Sequence, residues 1–271
     1  MRAARRRARP RIAYIWGMEH ALTVLLAGFA AGTMNALAGG GSFVSLPALI
    51  AAGVPSVNAN ASSTVALLPG GLASTWAYRD GLGPVGTASL RPLLIITLVG
   101  GLLGALLLLY TPTRVFDFAL PWLLLIATLT LAFGRVIGER LRRHTGDVRP
   151  TAVLAIQFGL GVYGGYFGGA VGIMMMAAWG LIESRELKSL NAPRTLLVTA
   201  ANSTAVITFI IAKAVYWPQT LIMLVGATAG GYGGALLGRR IPARVTRAGT
   251  LALTTVITVA FFVKTYARTS R

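Results

Sequence analysis

Long apolar stretches separated by short polar segments dominate this chain of 271 residues. A single bilayer-crossing helix requires about 20 apolar residues, and six stretches meet this requirement: 61–78, 92–110, 115–137, 195–212, 218–238 and 248–264. Only 12% of the residues are charged, against about 25% in an ordinary soluble domain. So few charged side chains cannot cover the surface of a soluble enzyme. The sequence therefore predicts an all-α integral membrane protein.

Two further apolar stretches, 21–53 and 152–182, are too long for one straight crossing. Glycines interrupt both, at Gly39, Gly40 and Gly41 before Ser42 in the first, and between positions 164 and 169 in the second. The pieces after the interruptions are too short to cross a bilayer at 1.5 Å per residue. We therefore predict that the first helix of each half of the chain is broken. Because non-helical backbone at membrane depth survives only where protein or water covers it, both breaks should face the interior.

The two halves of the chain resemble each other. With a shift of 130 residues, six of the eight positions in 100–107 are identical to those in 230–237. A shift of 131 pairs Asn60 and Ala61 with Asn191 and Ala192. Internal repeats are common in secondary transporters, which bind substrate at the repeat interface. We predict about eight transmembrane helices in two homologous four-helix repeats, with these segments: a basic arm (1–20), the first repeat (21–137), a basic linker (138–150), the second repeat (151–265) and a short basic tail (266–271).

The net charge of +18 is distributed as a membrane topology signal. Six arginines lie in the first eleven residues, and most of the others punctuate apolar stretches. If each broken segment crosses the bilayer once, 15 lysines and arginines lie inside and 8 outside; if each is a hairpin, the numbers become 10 and 13. The positive-inside rule favours the crossing model. Both models place the two termini in the cytoplasm, and we expect the lipid bilayer, not nucleic acid, to be the partner of the basic segments.

The absence of cysteine limits the possible chemistry of the protein. Disulfides, thiolate metal sites and cysteine nucleophiles are excluded. We expect no metal and no cofactor, and the oligomeric state is left open.

The basic N-terminus followed by an apolar run resembles a signal peptide ending near Ala38, but cleavage there would destroy the first broken helix. Met18 as the true start of the chain is a further hypothesis.

An ordered set of short motifs resembles the TauE/SafE family of sulfite exporters. In the first half, these motifs are Asn35 to Ser42, Leu46-Pro47, Gly53-Val54-Pro55 and Asn60 to Leu67; in the second half, they are Tyr163 to Gly168, Leu190 to Arg194, and Asn202 with Tyr216-Trp217. The resemblance covers residues 20–265. It implies a membrane transporter of sulfur-containing anions, such as sulfite or organosulfonates, in the cell membrane. The second break lacks a literal triple glycine, so the two half-sites are expected to be unequal.

An anion in a low-dielectric site needs hydrogen-bond donors, and helix N-termini supply free N–H groups with a partial positive charge. The short helices after the breaks offer two such ends. Polar side chains near the breaks add further donors, although bonding between helices is the ordinary role of such residues. The predicted substrate-binding residues are Asn35, Gly39, Gly40, Gly41, Ser42, Asn60, Ser63, Thr64, Tyr163, Gly168, Gly169, Asn191, Arg194 and Asn202.

Arg194 is the strongest candidate among the charged residues for binding the anion, because it begins a long apolar helix directly after Asn191-Ala192-Pro193. Its planar guanidinium suits an oxyanion. The alternative role is an interfacial arginine that anchors the helix in the membrane.

Two other classes of function remain possible on the sequence. An intramembrane enzyme is disfavoured, because both histidines lie in polar flanks and no HExxH, GxSxG or P-loop motif occurs. A structural or assembly protein is disfavoured by the broken helices, which give up backbone hydrogen bonds that inert spans would keep. The prediction is a secondary transporter of small anions and not an enzyme.

Overall fold

The computed structural model describes residues 9–37, 39–142, 149–182, 187–238 and 243–266. The predicted arm before residue 9, residues 143–148 of the predicted linker and residues 267–271 of the predicted tail lie outside the described residues. The described residues form ten α-helices and no strand: α1 (Arg9–Leu37), α2 (Ser42–Ala51), α3 (Ser56–Ala77), α4 (Leu90–Tyr110), α5 (Thr113–Arg142), α6 (Pro150–Tyr166), α7 (Val171–Ile182), α8 (Asn191–Ile211), α9 (Trp217–Gly238) and α10 (Ala243–Tyr266).

Both predicted helix breaks are present, between α1 and α2 and between α6 and α7. Each contains a glycine in the left-handed region, Gly39 (φ 79°) and Gly168 (φ 71°). Their N–H groups donate to carbonyls five residues back, those of Met34 (3.2 Å) and Tyr163 (3.4 Å). A left-handed glycine that returns its N–H to the last turn is a common way to end a helix.

The second break lies slightly later in the chain than the glycine pattern predicts. Gly164 and Gly165 remain inside α6, and the chain leaves the helix only at Phe167. The reason is tertiary, because the backbone of Gly165 lies directly against the backbone of Gly101 in α4. These two glycines therefore serve close helix packing and not the break.

The first broken segment is a hairpin. A side chain added at Gly41 would place its Cβ 2.5 Å from the carbonyl oxygen of Ala31, so the chain turns back against α1 directly after the break. Ser45 of α2 and Ser63 of α3 are linked by a hydrogen bond of 2.6 Å, with the short turn 52–55 between the two helices. This reversal favours the hairpin model over the crossing model for this segment. Charge counting could not detect the reversal, because the break at 39–41 is largely buried and carries no charge.

Glycines align two pairs of helices in parallel. Along α1, Gly28 lies against Met223 of α9, and one turn later Gly32 lies against Ala227. The same arrangement joins α4 to α6, where Gly100 lies against Phe158 and Gly104 against Val162. Small residues at four-residue spacing let helix backbones approach closely, which drives association where hydrophobic burial cannot. The glycine rows that suggested a duplication therefore form two equivalent contacts.

Two other helix pairs are antiparallel. At the start of α3, Asn58 Nδ2 donates to Ala214 O just beyond the end of α8 (2.8 Å), and later in α3 Thr75 donates to Thr199 (3.0 Å). In the second pair, Thr128 of α5 and Thr258 of α10 are 3.1 Å apart. These two threonines are separated by the 130 residues of the sequence shift. If the two halves are repeats, equivalent positions that touch each other lie near a two-fold axis, which would pass between α5 and α10.

Within the part of the chain that the structure describes, five helices have the length and apolar character to cross a membrane: His20–Leu37, Leu90–Tyr110, Thr113–Gly134, Asn191–Ile211 and Arg244–Tyr266. Helix α3 also has 22 residues, but asparagine, serine and threonine side chains dilute its apolar character over 58–64. The chain is therefore an all-helical protein with several candidate membrane spans.

The close approach of α4 and α6 leads to a stability prediction. Gly165→Ala should destabilise the protein by about 1–3 kcal/mol, because the new methyl group would enter the backbone of Gly101 and force the helices apart. Gly159→Ala, on the same helix, is the matched control, since nothing lies within 4 Å of its added Cβ. Thermal unfolding of the purified variants in detergent measures the difference. Equal unfolding temperatures for the two variants would contradict the packing.

The axis between α5 and α10 can be tested by crosslinking, because the chain has no native cysteine. Thr128→Cys combined with Thr258→Cys should form a disulfide under mild oxidation, since the two hydroxyls are 3.1 Å apart. Thr128→Cys with Val259→Cys is the control pair, because Val259 is 56% exposed, whereas Thr258 is buried. The readout is an electrophoretic mobility shift that a reductant reverses. Equal crosslinking of both pairs would refute the contact.

Candidate functional site

The second helix break lies beside the middle of α3 and α8. A Cβ added at Gly168 would be 3.7 Å from both Thr64 Oγ1 and Asn202 Oδ1. Thr64 is the ninth residue of α3 and Asn202 the twelfth residue of α8, so both lie far from the helix ends. The break therefore brings together backbone without helical hydrogen bonds and polar side chains from both halves of the chain.

The side chain of Asn60 caps the C-terminal end of α6. Its Nδ2 donates to the carbonyl oxygen of Tyr166, the last residue of that helix, at 2.9 Å. Terminal carbonyls have no partner within their own helix, so this bond stabilises the broken end. The bond also fixes the orientation of the Asn60 amide, because Nδ2 must face Tyr166.

Two amide oxygens remain buried without a hydrogen-bond partner at this place, Asn60 Oδ1 and Asn202 Oδ1. A buried polar atom without a partner costs about 1–3 kcal/mol, and native proteins rarely leave one unsatisfied. Thr64 does not fill the gap, because its hydroxyl donates to the carbonyl oxygen of Asn60 (2.9 Å). The two oxygens therefore mark where a water molecule or a ligand that carries a hydrogen-bond donor would bind.

Helix α7 begins directly after this break and contributes positive potential. Its first turn leaves backbone N–H groups without helical partners, and the helix dipole adds partial positive charge. Arg194 of α8 extends along the same end, with Cδ and Cγ 3.7 and 3.9 Å from the Cβ position of Gly172. Because Gly172 has no side chain, the arginine stem can lie against α7. The aliphatic stem of Arg194 thus packs against the first turn of this short helix.

The predicted residues at the first break make no described contact with Gly168 or Asn202 at the second break. Asn35 is exposed and Ser42 is half-buried, while Gly39, Gly40 and Gly41 lie at the α1–α2 hairpin. Ser63 is occupied by its hydrogen bond to Ser45. Among the described contacts, none joins these residues to Asn202 or Gly168.

Two of the remaining predicted residues serve aromatic packing. Tyr163 donates to the carbonyl oxygen of Leu123 (3.4 Å) and meets the Phe167 ring edge-on at 5.9 Å. Gly169 lies over the Phe167 ring, since an added Cβ would be 2.5 Å from it. Both residues shape the wall of the second break rather than presenting a free polar group to it.

The pairing of the two halves differs from the one that sequence identity suggests. Asn58 at the start of α3 reaches Ala214 beyond α8, and Ala192 at the start of α8 lies against Gly81 beyond α3. These reciprocal contacts make Asn58, and not Asn60, the counterpart of Asn191. With this offset of 133 residues, the counterpart of Asn202 is Pro69. The amides are therefore concentrated at the second break, and the half-sites are unequal.

Sequence reasoning missed two contributors to the site. The Tyr166 carbonyl acts through the backbone, and only the position of the helix end reveals it. Ser45 lies one turn after Ser42 within an apolar half-helix, and this placement could have indicated that it has a polar partner.

Comparison with known proteins agrees with the fold and with the motifs. Residues 24–261 match the family model described as "Sulfite exporter TauE/SafE". The chain is 30% identical over 211 residues to "Probable membrane transporter protein YfcA" of Escherichia coli (strain K12), which covers 78% of this chain and 76% of the relative.

Two further relatives carry similar names. A "Probable membrane transporter protein" of Haemophilus influenzae is 26% identical over 220 residues, covering 81% of this chain and 85% of the relative. "Probable membrane transporter protein ORF9" of a Sinorhizobium species is 27% identical over 212 residues, covering 78% and 80%. No solved structure matches the chain. The family match over most of its length, together with its apolar helices, makes this chain a multi-pass membrane transporter protein of the TauE/SafE family.

Proposed function

We propose that this protein is a secondary transporter that exports small sulfur oxyanions, such as sulfite or organosulfonates, across the cell membrane. The single observation that carries the proposal is the second helix break, where Gly168 lies between Thr64 and Asn202 at the middle of two long helices. Broken helices whose ends face a substrate are typical of transporter sites near the bilayer midplane. The sulfur chemistry and the export direction come from the family description alone.

The charges around the break suit an anion. Moving an isolated charge into a low-dielectric interior is very costly, so its charge must be balanced locally. The start of α7 supplies partial positive charge. Arg194, whose stem packs against the same helix, is proposed to supply a full one. The predicted site residues at this place, namely Asn60, Thr64, Gly168, Asn202 and Arg194, form the proposed binding site.

The unpaired amide oxygens narrow the class of ligand. Asn60 presents its Oδ1 as a free acceptor, because the bond from Nδ2 to Tyr166 fixes the orientation of the amide. Asn202 can rotate its amide to present either oxygen or nitrogen. A ligand that carries both acceptor oxygens and one donor satisfies both residues. We therefore propose a protonated oxyanion such as hydrogen sulfite, or a sulfonate with a hydroxyl or amino group.

We also propose that the chain consists of two inverted four-helix repeats. The antiparallel pairs α3–α8 and α5–α10, together with the contact between Thr128 and Thr258, support an axis that lies in the membrane plane. Both broken segments would then be hairpins that enter from opposite sides of the membrane. Such an arrangement allows one repeat to rock against the other around a central site.

If both broken segments are hairpins, the charge pattern no longer predicts the same orientation of the protein in the membrane. Both termini still share one side of the membrane, but that side then carries 10 lysines and arginines, six of them in the first eleven residues, against 13 on the opposite side. The positive-inside rule therefore no longer supports placing the termini in the cytoplasm.

The role of Asn202 leads to a transport prediction. In proteoliposomes at limiting substrate, Asn202→Ala should reduce the flux of radiolabelled sulfite roughly 10-fold or more, because a hydrogen bond to a charged ligand is worth about 1.5–3 kcal/mol. Ser203→Ala is the matched control on the next residue, since the Ser203 hydroxyl donates to the carbonyl oxygen of Thr199 within α8 (2.8 Å). Normal flux in Asn202→Ala, with the protein correctly inserted, would rule out this site.

Arg194 leads to a second transport prediction. Arg194→Gln should lose most of the flux, and Arg194→Lys should recover part of it, because the lysine keeps the charge and loses the planar pair of donors. Arg91→Gln serves as control, since Arg91 is an exposed arginine in the first turn of α4. If Arg194→Gln transports sulfite as well as Arg91→Gln does, then Arg194 is a membrane anchor and the anion is balanced by the helix end alone.

A further inference from the structure

A cavity lies away from the candidate site, at the end of the bundle where α5 begins and α10 ends. It has a volume of about 380 Å³ and is bordered by the turn between α2 and α3. Its wall is largely apolar, with Ile50, Leu120 and Phe261 among the lining side chains. None of the residues of the proposed transport site lines this cavity.

Charged groups surround the mouth of the cavity. Arg114 and Asp117 come from the first turns of α5, and Lys264 comes from the last turn of α10, where it lies 6.0 Å from the centre of the Phe261 ring. Within the described residues, neither cation has an ion-pair partner, and the one salt bridge joins Arg79 to Asp80. Two positive charges against one negative charge leave the mouth with a net charge of +1.

The cavity also contains a polar group that lacks a partner. Ser56, at the first position of α3, is only 4% exposed, and its hydroxyl has no hydrogen bond. Helices α3 and α5 both begin at this cavity, so their first N–H groups and positive dipole ends lie at its edge. The unsatisfied hydroxyl, the two helix starts and the two cations together favour an anionic oxygen-rich group.

The outer face beside the cavity has the character of a membrane interface. Phe118 lines the cavity and meets Tyr266 at 6.0 Å, and Trp122 meets Phe262 at 5.2 Å. The exposed indole of Trp122 donates to the Tyr266 hydroxyl at 2.8 Å. Clusters of tryptophan and tyrosine are typical of the headgroup level of a bilayer. The cavity thus opens where lipid headgroups, rather than dissolved ions alone, are its neighbours.

We propose that this cavity binds the phosphodiester headgroup of an anionic membrane phospholipid. The phosphate binds Arg114, Lys264 and the Ser56 hydroxyl, and one acyl chain lies along Phe118 and Phe261. A single negative charge neutralises the net charge of the mouth. Because basic pockets between transmembrane helices commonly take anionic headgroups, the chemistry of the cavity and its position agree.

Native mass spectrometry of the purified full-length protein tests the proposal. Wild-type protein should retain one molecule of phosphatidylglycerol at least about 10-fold more tightly than phosphatidylcholine, because the choline cation cancels the negative charge of the phosphate and is repelled by the positive mouth. Arg114→Gln and Lys264→Gln should each weaken phosphatidylglycerol retention roughly 10-fold or more. Arg91→Gln, at an exposed position outside the cavity, should leave retention unchanged.

Two further variants separate binding from folding. Asp117→Asn should strengthen phosphatidylglycerol retention, because it removes a like charge, and a misfolded protein would not show this gain. Ser56→Ala should weaken retention; if the hydroxyl is merely unsatisfied, the variant instead raises the unfolding temperature and leaves lipid binding intact, which would contradict the proposal. Displacement of the lipid by millimolar inorganic phosphate would show that the cavity is a site for soluble anions and overturn the assignment to lipid. Equal losses in Arg91→Gln and Arg114→Gln would also overturn it.

Discussion

In the hydrocarbon interior every backbone N–H and C=O must find a partner within the protein, and this constraint governs the arrangement of the chain. Each helix break exposes groups that a continuous helix would satisfy. At the second break, Gly168 returns its N–H to Tyr163, and Asn60 from α3 supplies a donor for the carbonyl of Tyr166. The break is therefore possible only because α3 lies against it. The polar residues of α3, which weaken its apolar character, are what allow α6 to end there.

Glycine contacts determine which helices are neighbours. A leucine gains little from burial against another helix when lipid tails are equally apolar, so close backbone approach carries much of the association. Gly100 and Gly104 draw α4 against α6, and Gly28 and Gly32 draw α1 against α9. Each broken helix is thus held by a continuous helix from the other half of the chain. This packing between helices of different halves places each break within the bundle. The two halves therefore depend on each other for folding.

In the proposed two-repeat arrangement, the two halves share an architecture but differ in chemistry. Asn60 and Asn202 gather at the second break, whereas the α1–α2 hairpin relies on the serine pair Ser45 and Ser63. A single small anion needs only one set of donors, so one half can hold the ligand while the other provides the symmetric frame. The arginine beside α7 reinforces this asymmetry, because Ala61 takes the corresponding place in α3. The repeat therefore explains the movement that we propose, and its departures from symmetry explain the site.

The sequence by itself determined the helical class, the membrane setting, the glycine breaks and the family, because each depends on local composition or on short ordered motifs. It also identified Asn60, Thr64, Gly168 and Asn202 as candidates, although their contact with one another was not predictable. Only the tertiary structure decided that the first broken segment is a hairpin, that Gly164 and Gly165 stay helical, and that the first-break residues lie apart from the second break. The physical reason is that these outcomes depend on backbone contacts between helices far apart in the chain, such as Gly101 with Gly165 and Thr128 with Thr258. Neither hydropathy nor charge counting carries information about such contacts.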